Sequence, residues 1–542
     1  MTVKKTSNPL LNLVHPSAHA TVLILDYGSQ YTQLIARRVR ELGVFSRILP
    51  GSVSLQEIQK HAPKAVILSG GPSSVYDENA PRLPAGFLDY QRQERFPILG
   101  ICYGMQLLAT SLGGEVSRAD VREYGRMEVT ATAESELLSF EGHALTAPFT
   151  VWMSHGDETQ KLPPGFKKSA VSASGSFAAI ENTHDKIYAL QFHPEVTHTE
   201  NGQKILRKFL TTIAGIASDW NMNSVLEEQL VQIRNQVGPD RHVICGLSGG
   251  VDSTVAATLV HRAIGDRLHC FFVDHGLLRY EEQKRVMQLF RDQLHLPVQC
   301  LDHSQRYLEK LRGVTDPEKK RKIIGAEFIL SFEEAAEQVS KDIGHLPEFL
   351  VQGTLYPDVI ESSPGHKHSV TIKSHHNVGG LPENLRFELI EPLRELFKDE
   401  VRALGKHLKV PEDFLSRHPF PGPGLAVRVL GEVTPEALKI LQHADEIFIQ
   451  EIRRAGLYNQ IWQAFAVFLP IRTVGVQGDG RTHDHVVALR AVTSSDGMTA
   501  DWFHFDTRFL AQVSAKICNE VRGVSRVVYD ISSKPPATIE WE

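Results

Sequence analysis

The sequence predicts a multidomain α/β protein, and three observations carry that expectation. Apolar runs ended by glycine turns (TVLILDYG, AVILSGGP, FPILGICYG) are separated by helical stretches, the pattern of a parallel sheet with crossover helices. A second series of the same kind starts at HVICGLSGGVDS. The 542 residues also exceed what one hydrophobic core holds, and at roughly 150 residues per domain they divide into about three or four.

Taken in order, Met1 to Ala20 mixes Lys, Ser, Asn, Pro and His and reads as a frayed arm, its apolar stretch too short for a signal segment. From Thr21, a strand ended by Gly28 leads into a helix from Tyr31 to Leu42, and two further strands follow. The sheet is expected to be parallel, with YALQF as its last strand and a helix from about Gly202 to Ile213 behind it. Apolar periodicity lapses over 214–223, a domain boundary. HVICGLSGGVDSTVAATLVHRAI then reads strand, glycine turn, helix, and LHCFFVDHG is the next strand, a βαβ unit. GVTDPEKKRKIIG (313–325) is charged and flanked by glycines, which suits a mobile surface segment. HPFPGPGL (418–425) is too rich in Pro and Gly to continue a helix or central strand and marks a second boundary. HVVALRAV and RVVYDIS beyond it are strands of an α+β end domain. The expected layout is an arm at 1–20 and domains at 21–214, 215–417 and 418–542.

Composition narrows the function classes. Hydrophobic residues make up 42% and charged residues 23%, a globular balance, and no run approaches the roughly 18 apolar residues of a membrane span. Lys plus Arg is 58 against 64 Asp plus Glu, a net charge of −6, so no global positive field favours nucleic acid. Five cysteines with no C-x-x-C pair argue against a disulfide framework or cysteine zinc site, and a reducing cytoplasm fits best.

Two constellations carry chemistry. Gly100-Ile101-Cys102-Tyr103-Gly104 lies between a strand and the helical MQLLATSLGG, the arrangement of a nucleophile elbow, with the helix dipole favouring a thiolate. His193-Pro194-Glu195 follows YALQF and offers a base with an orienting carboxylate, while Ser69-Gly70-Gly71-Pro72 offers backbone N–H groups to an oxyanion. These residues resemble the class I (triad) glutamine amidotransferases. The resemblance implies Cys102 as nucleophile, His193 as general base and Glu195 as its orienter. It also implies Gly71, Tyr103, Gln106, Ser154, His155 and Gly156 as oxyanion and glutamine-binding positions.

In the second constellation, Ser248-Gly249-Gly250-Val251-Asp252-Ser253 joins strand to helix, so that converging N–H groups, serine hydroxyls and the helix N-terminus favour a phosphate. Neither G-x-x-x-x-G-K-[ST] nor G-x-G-x-x-G occurs in the chain. The loop resembles that of the N-type ATP pyrophosphatases, a Rossmann-like domain with a parallel sheet that cleaves ATP to AMP and pyrophosphate. That resemblance implies ATP contacts from the loop residues and from Val273, Asp274, Gly353 and Thr354. Asp252, Asp358 and Glu361 are candidate Mg²⁺ ligands, the last two sharing a face if helical, although a solvated acidic face explains them equally. Histidines 366, 368, 375, 376, 483 and 485 lack recognised zinc spacing. The run Lys319-Lys320-Arg321-Lys322 is either solvated surface or a lid over phosphates.

An ammonia source joined to an AMP-forming site gives an amide- or amidine-forming ligase. From Thr21 to Glu542 the motifs, including QGTLYPDVIES, KSHHNVGGLPE, GVQGDGRTHDH and SKPPATIEWE, resemble the glutamine-hydrolysing GMP synthetase family. The resemblance implies conversion of xanthosine monophosphate (XMP), glutamine and ATP to GMP, glutamate, AMP and pyrophosphate. It places XMP against Arg321, Gln463, Arg526, Lys534 and Glu540, adenylation support on Lys373 and His375, and homodimerisation in the last domain, with no nucleic-acid or membrane partner. Asparagine synthetases, whose nucleophile is an N-terminal cysteine, fit less well because Thr2 follows Met1. A sensor that had lost catalysis would show a damaged triad or loop, and both motifs are intact.

Overall fold

The structure, a computed structural model, describes residues 19–132, 135–140, 147–361, 387–477, 479–494 and 499–542. They fall into two compact units, one holding the described residues up to Ser224 and the other the bulk of those from Val225 onward. Among the described residues no helix is long and apolar enough to cross a membrane.

In the first unit, strands β1 (Val22–Asp26), β2 (Ser46–Pro50), β3 (Ala65–Leu68), β4 (Ile98–Ile101), β5 (Glu115–Ala131), β6 (Phe149–Lys161), β7 (Lys167–Ser172), β8 (Phe177–Asn182) and β9 (Ile187–Leu190) form one sheet. Their order is β2-β1-β3-β4-β9-β8-β7-β5-β6. The half from β2 to β9 is parallel, as expected, and its central strands β3 and β4 are buried throughout, as parallel strands usually are. The expectation of a purely parallel sheet is corrected by the other half, in which β9, β8, β7, β5 and β6 pair antiparallel. There β6 alternates buried and more exposed positions, so it offers no continuous apolar run to recognise. The frayed arm also needs correction at its end. His19 is buried, its Nδ1 2.9 Å from Asp219 Oδ1 and its ring edge-on to Trp220. The rest of the arm, 1–18, lies outside the described residues.

The second unit contains an all-parallel sheet, β10 (Val243–Leu247), β11 (Leu268–Asp274), β12 (Val298–Asp302), β13 (Phe349–Val351) and β14 (Glu388–Ile390), in the order β12-β11-β10-β13-β14. Toward the C-terminus, β15 (Gln463–Gln477) and β16 (Gly480–Thr493) form a long antiparallel hairpin, with β17 (Asp501–Trp502) and β18 (Val524–Tyr529) both pairing with β16. The helices Pro435–Arg454 and Thr507–Glu520 complete an α+β layer. One core serves both sheets: Val273, Leu277, Tyr307 and Ile324 cluster with Leu425, Val429, Phe448 and Val513.

The segment 313–325 is not a mobile surface loop. Asp316 caps, and Pro317 begins, the 27-residue helix Pro317–Ile343, with Lys319 N–H donating to Asp316 Oδ1 at 2.8 Å. The basic run splits across its faces. Lys319 and Lys322 are exposed, whereas Lys320 is fully buried and its Nζ reaches Val429 O (2.7 Å), Ala426 O (3.1 Å) and Glu542 Oε2 (2.5 Å).

Candidate active sites

The turn between β4 and the helix Tyr103–Ser111 forces Cys102 into a backbone conformation of φ 52°, ψ −106°, which side chains rarely adopt. It holds because its flanks are bare. A Cβ on Gly100 would lie 2.7 Å from Gly104 C, and one on Gly104 would lie 2.4 Å from Leu68 O, so strand and helix approach too closely for any other residue. The Cys102 thiol is thereby set at the helix N-terminus, 3.7 Å from Ser154 O and 3.8 Å from Gln191 Nε2.

His193 and Glu195, beyond β9, are both buried, and His193 Nδ1 is 2.7 Å from Glu195 Oε1. Burial alone would pull the imidazole pKa down. The Glu195 carboxylate, with the Cys102 sulfur as a smaller contribution, outweighs it and holds His193 well above the usual histidine value. The loop after β3 closes over the pair, since a Cβ on Gly70 would lie 3.2 Å from His193 Cε1 and 3.6 Å from Cys102 Cβ. Gly71 follows in that loop, and Tyr103 opens the helix, whose first N–H groups have no acceptor within it. Cys102, His193, Glu195, the 69–71 turn and Ser154 are therefore assembled in one place.

The other glutamine-binding candidates are placed differently. Gln106 is buried and donates to Asp157 O (3.0 Å) and Gln191 Oε1 (3.4 Å). Ser154, His155 and Gly156 lie on β6, but the His155 ring turns inward, with Nε2 3.0 Å from Glu123 Oε2 and Nδ1 2.9 Å from Asp157 O. Sequence reasoning missed Glu123, Gln191 and Tyr31, whose ring lies edge-on to His193 at 5.1 Å between centroids. Gln191 had a signal, standing two residues before His193. Glu123 had none.

In the second unit the phosphate-type loop sits between β10 and the helix Val251–Ile264. Gly249 has φ +73°, the Gly250 N–H donates to Ser248 Oγ (3.2 Å), and the Ser248 and Ser253 hydroxyls meet at 3.0 Å. Gly353 follows β13 and abuts this loop, a Cβ there falling 3.4 Å from Ser253 N. Thr354 Oγ1 donates to Glu391 Oε1 at 2.6 Å. Val273 and Asp274 end β11, where burial raises the Asp274 carboxyl above its usual range. Lys398 Nζ stands 3.9 Å from Asp252 Oδ2. Asp358 Oδ2 accepts from Leu355 N–H at 3.0 Å on the helix Tyr356–Glu361. Among the described residues no group of three or more His, Cys, Asp or Glu converges as a metal cage. Lys373 and His375 lie outside the described residues, as do histidines 366, 368 and 376 and the side chain of Glu361.

Of the XMP candidates, Gln463 and Glu540 come together at 2.7 Å, and fully buried Arg428 clamps Glu540 through two nitrogens at 3.0 and 2.8 Å. Arg321 donates to the backbone O of Glu542 at 2.6 Å. Lys534 pairs through its backbone with Ala500 and lines an open depression of about 480 Å³, while Arg526 is exposed on β18. Arg490, unnoticed in the sequence, is fully buried beneath the same tail and donates to Ile539 O (2.7 Å) and Thr538 O (2.8 Å).

Both constellations fall within segments that match known families. Residues 23–213 match the family model described as glutamine amidotransferase class-I, residues 224–314 the one described as NAD synthase, and residues 450–541 the one described as GMP synthase C terminal domain. The chain is 55% identical to the glutamine-hydrolysing GMP synthase of Brachyspira hyodysenteriae over 521 residues, covering 96% of this chain and 99% of that protein. It is 54% identical to that of Bradyrhizobium diazoefficiens over 97% of this chain and 94% of the relative. To that of Chlorobium phaeovibrioides it is 56% identical over 96% and 100%. With likeness of this degree along nearly its whole length, the chain belongs to the glutamine-hydrolysing GMP synthases.

Proposed function

We propose that this GMP synthase makes its ammonia at Cys102, His193 and Glu195 and consumes it at the Ser248–Ser253 loop. The observation that carries the first half is the His193–Glu195 bond of 2.7 Å, with the Cys102 elbow at positive φ and Gly70 lying against both His193 and Cys102. Cys102, its proton held on His193, attacks the side-chain amide carbon of glutamine as the thiolate. The Gly71 and Tyr103 N–H groups receive the developing oxyanion. His193 returns the proton to the departing nitrogen, ammonia leaves, and a thioester remains. Water, deprotonated by the same imidazole, then attacks the thioester, releasing glutamate and restoring the thiol.

At the second site the loop N–H groups and the Ser248 and Ser253 hydroxyls hold the pyrophosphate portion of ATP, with Val273 and Asp274 against the adenosine and Gly353 and Thr354 alongside. The 2-oxygen of XMP attacks the α-phosphorus and pyrophosphate departs. Ammonia then adds at C2 and AMP leaves, giving GMP. Mg²⁺ is bound by few carboxylates and several phosphate oxygens, so Asp252, within the loop and among the described residues facing no ready-made cage, fits an ion that arrives with the nucleotide, with Asp358 and Glu361 as further candidates. Such an ion supplies neutralisation of phosphate charge. Arg321, Gln463, Arg526, Lys534 and Glu540 contact XMP, and Lys373 and His375 support adenylation.

The reading keeps the divisions 21–214, 215–417 and 418–542. Homodimerisation through the last segment is supported by apolar side chains exposed on its sheet, Ile471, Val474 and Val476 on β15 and Val528 on β18. Five free cysteines favour a reducing cytoplasm. The test is Cys102→Ala assayed with ATP, Mg²⁺ and XMP. The variant forms no GMP from glutamine yet keeps wild-type GMP and AMP formation from ammonium. Loss of both reactions in a folded variant, or ADP as product, would refute the assignment.

A further inference from the structure

We propose that Glu123 is a positioning residue for glutamine, acting through His155 to fix the backbone of residues 154–157 beside the nucleophile. The inference rests on the reading of Cys102 as nucleophile and deepens it.

The β5–β6 ladder is broken at this point. Arg118 pairs with Asp157 and Glu123 with His155, so five residues of β5 advance against two of β6, and Gly156 faces the resulting bulge. The ladder therefore does not set the path of β6 here, and side chains do. Glu123 and His155 are direct cross-strand partners, and both are buried. His155 spans from Glu123 Oε2 (3.0 Å) to the backbone O of Asp157 (2.9 Å), two residues ahead on its own strand. A carboxylate and a carbonyl only accept, so each bond uses an imidazole N–H. The second Glu123 oxygen accepts from Ser174 Oγ at 2.5 Å, and Ser174 meets Ser172 at 2.8 Å, which anchors the carboxylate to the segment after β7.

What this clamp holds faces the thiol. Ser154 O lies 3.7 Å from Cys102 Sγ, and Asp157 O accepts from Gln106, which touches Gln191, whose Nε2 is 3.8 Å from the same sulfur. The Asp157 carboxylate accepts from Ser74 Oγ (2.5 Å) and Tyr76 OH (2.7 Å), joining β6 to the loop after β3. With both ring nitrogens occupied, His155 serves glutamine through its backbone, and Glu123 determines whether that backbone is in place.

The experiment measures glutamine-driven and ammonium-driven GMP formation by full-length Glu123→Gln, together with the rate of Cys102 alkylation by iodoacetamide. Expected is a roughly tenfold rise in KM for glutamine, kcat within about threefold, and unchanged alkylation and ammonium-driven rates. An unchanged glutamine KM overturns the proposal. So does a fall in kcat alone, or in alkylation, because either places Glu123 on the nucleophile. If Glu123→Gln fails to fold, Ser174→Ala decides: a severalfold KM rise supports the anchor, and a wild-type KM overturns it. Failure of the underlying reading shows separately, as glutamine turnover surviving in Cys102→Ala.

Discussion

Glu195 illustrates how one side chain sets the chemistry of another. It touches His193 through Oε1 alone, and among the described residues its buried Oε2 has no hydrogen-bond partner, so nearly all its effect falls on the imidazole. Glu195→Gln keeps the shape and removes the charge. The glutamine-driven kcat should fall by about 10²-fold or more, as when a carboxylate behind a catalytic imidazole is neutralised, while the ammonium-driven rate stays unchanged. The pH dependence of stability tests the same pair. His193 is raised in the folded state, so its contribution is complete below the unfolded value near 6.5 and is lost as pH rises through the higher folded value. The difference in urea midpoint between wild type and Glu195→Gln should be largest in mild acid and shrink in alkali. A difference that grows with pH would show that Glu195 does not hold the proton on His193.

Elements show which parts of this molecule can be read from sequence. The elbow at Cys102 and the loop at Ser248 were legible because strand-to-helix turns of this tightness demand glycines at fixed offsets, and glycines are visible in a string. Glu123 was not legible: it sits among alternating charges in a 17-residue strand, and its meaning comes from a register across to a histidine 32 positions away. Lys320 was hidden for the opposite reason, as one member of a basic run whose neighbours face solvent while helical geometry turns it inward. The support of the Ser248–Ser253 loop is of the same hidden kind. Arg417 donates to Gly249 O (3.3 Å) and pairs with Glu282 at the start of the helix Glu282–Gln288. Burial would raise the Glu282 carboxyl, yet Arg417 and Arg279 hold it below the usual range. Glu282→Gln leaves both guanidinium groups short of a buried counter-charge. It should cost about 3–5 kcal/mol in chemical denaturation and raise the KM for ATP, with glutamine affinity unchanged.

For the whole molecule, the decisive fact is where cores begin and end. The first unit has its own cluster around Leu23, Val66, Ile98, Leu107 and Ala189, all within the amidotransferase match. In the second unit Val273 and Tyr307, from the segment that matches NAD synthase, share a cluster with Leu441, Phe448 and Val524 from the C-terminal region. Leu425 N–H donates to Leu277 O at 2.8 Å, and buried Lys320 bonds Glu542, so the Pro/Gly-rich segment at 418–425 is crossed by packing even though only the start of the short 3-10 helix Gly424–Arg428 falls within it. A shared core unfolds as one cooperative body. Calorimetry should therefore resolve two transitions and not three. ATP with Mg²⁺ should raise only the one belonging to residues 225–542, because ligand binding stabilises the body that binds it. A glutamine analogue that alkylates Cys102 should shift only the other. The same packing predicts that 418–542 expressed alone does not fold, since Leu425, Val429 and Phe448 would lose their partners around Val273 and Tyr307, whereas 19–224 alone gives a cooperative melt. A third transition, or an independently folded 418–542, would mean that the two sheets of the second unit stand on separate cores.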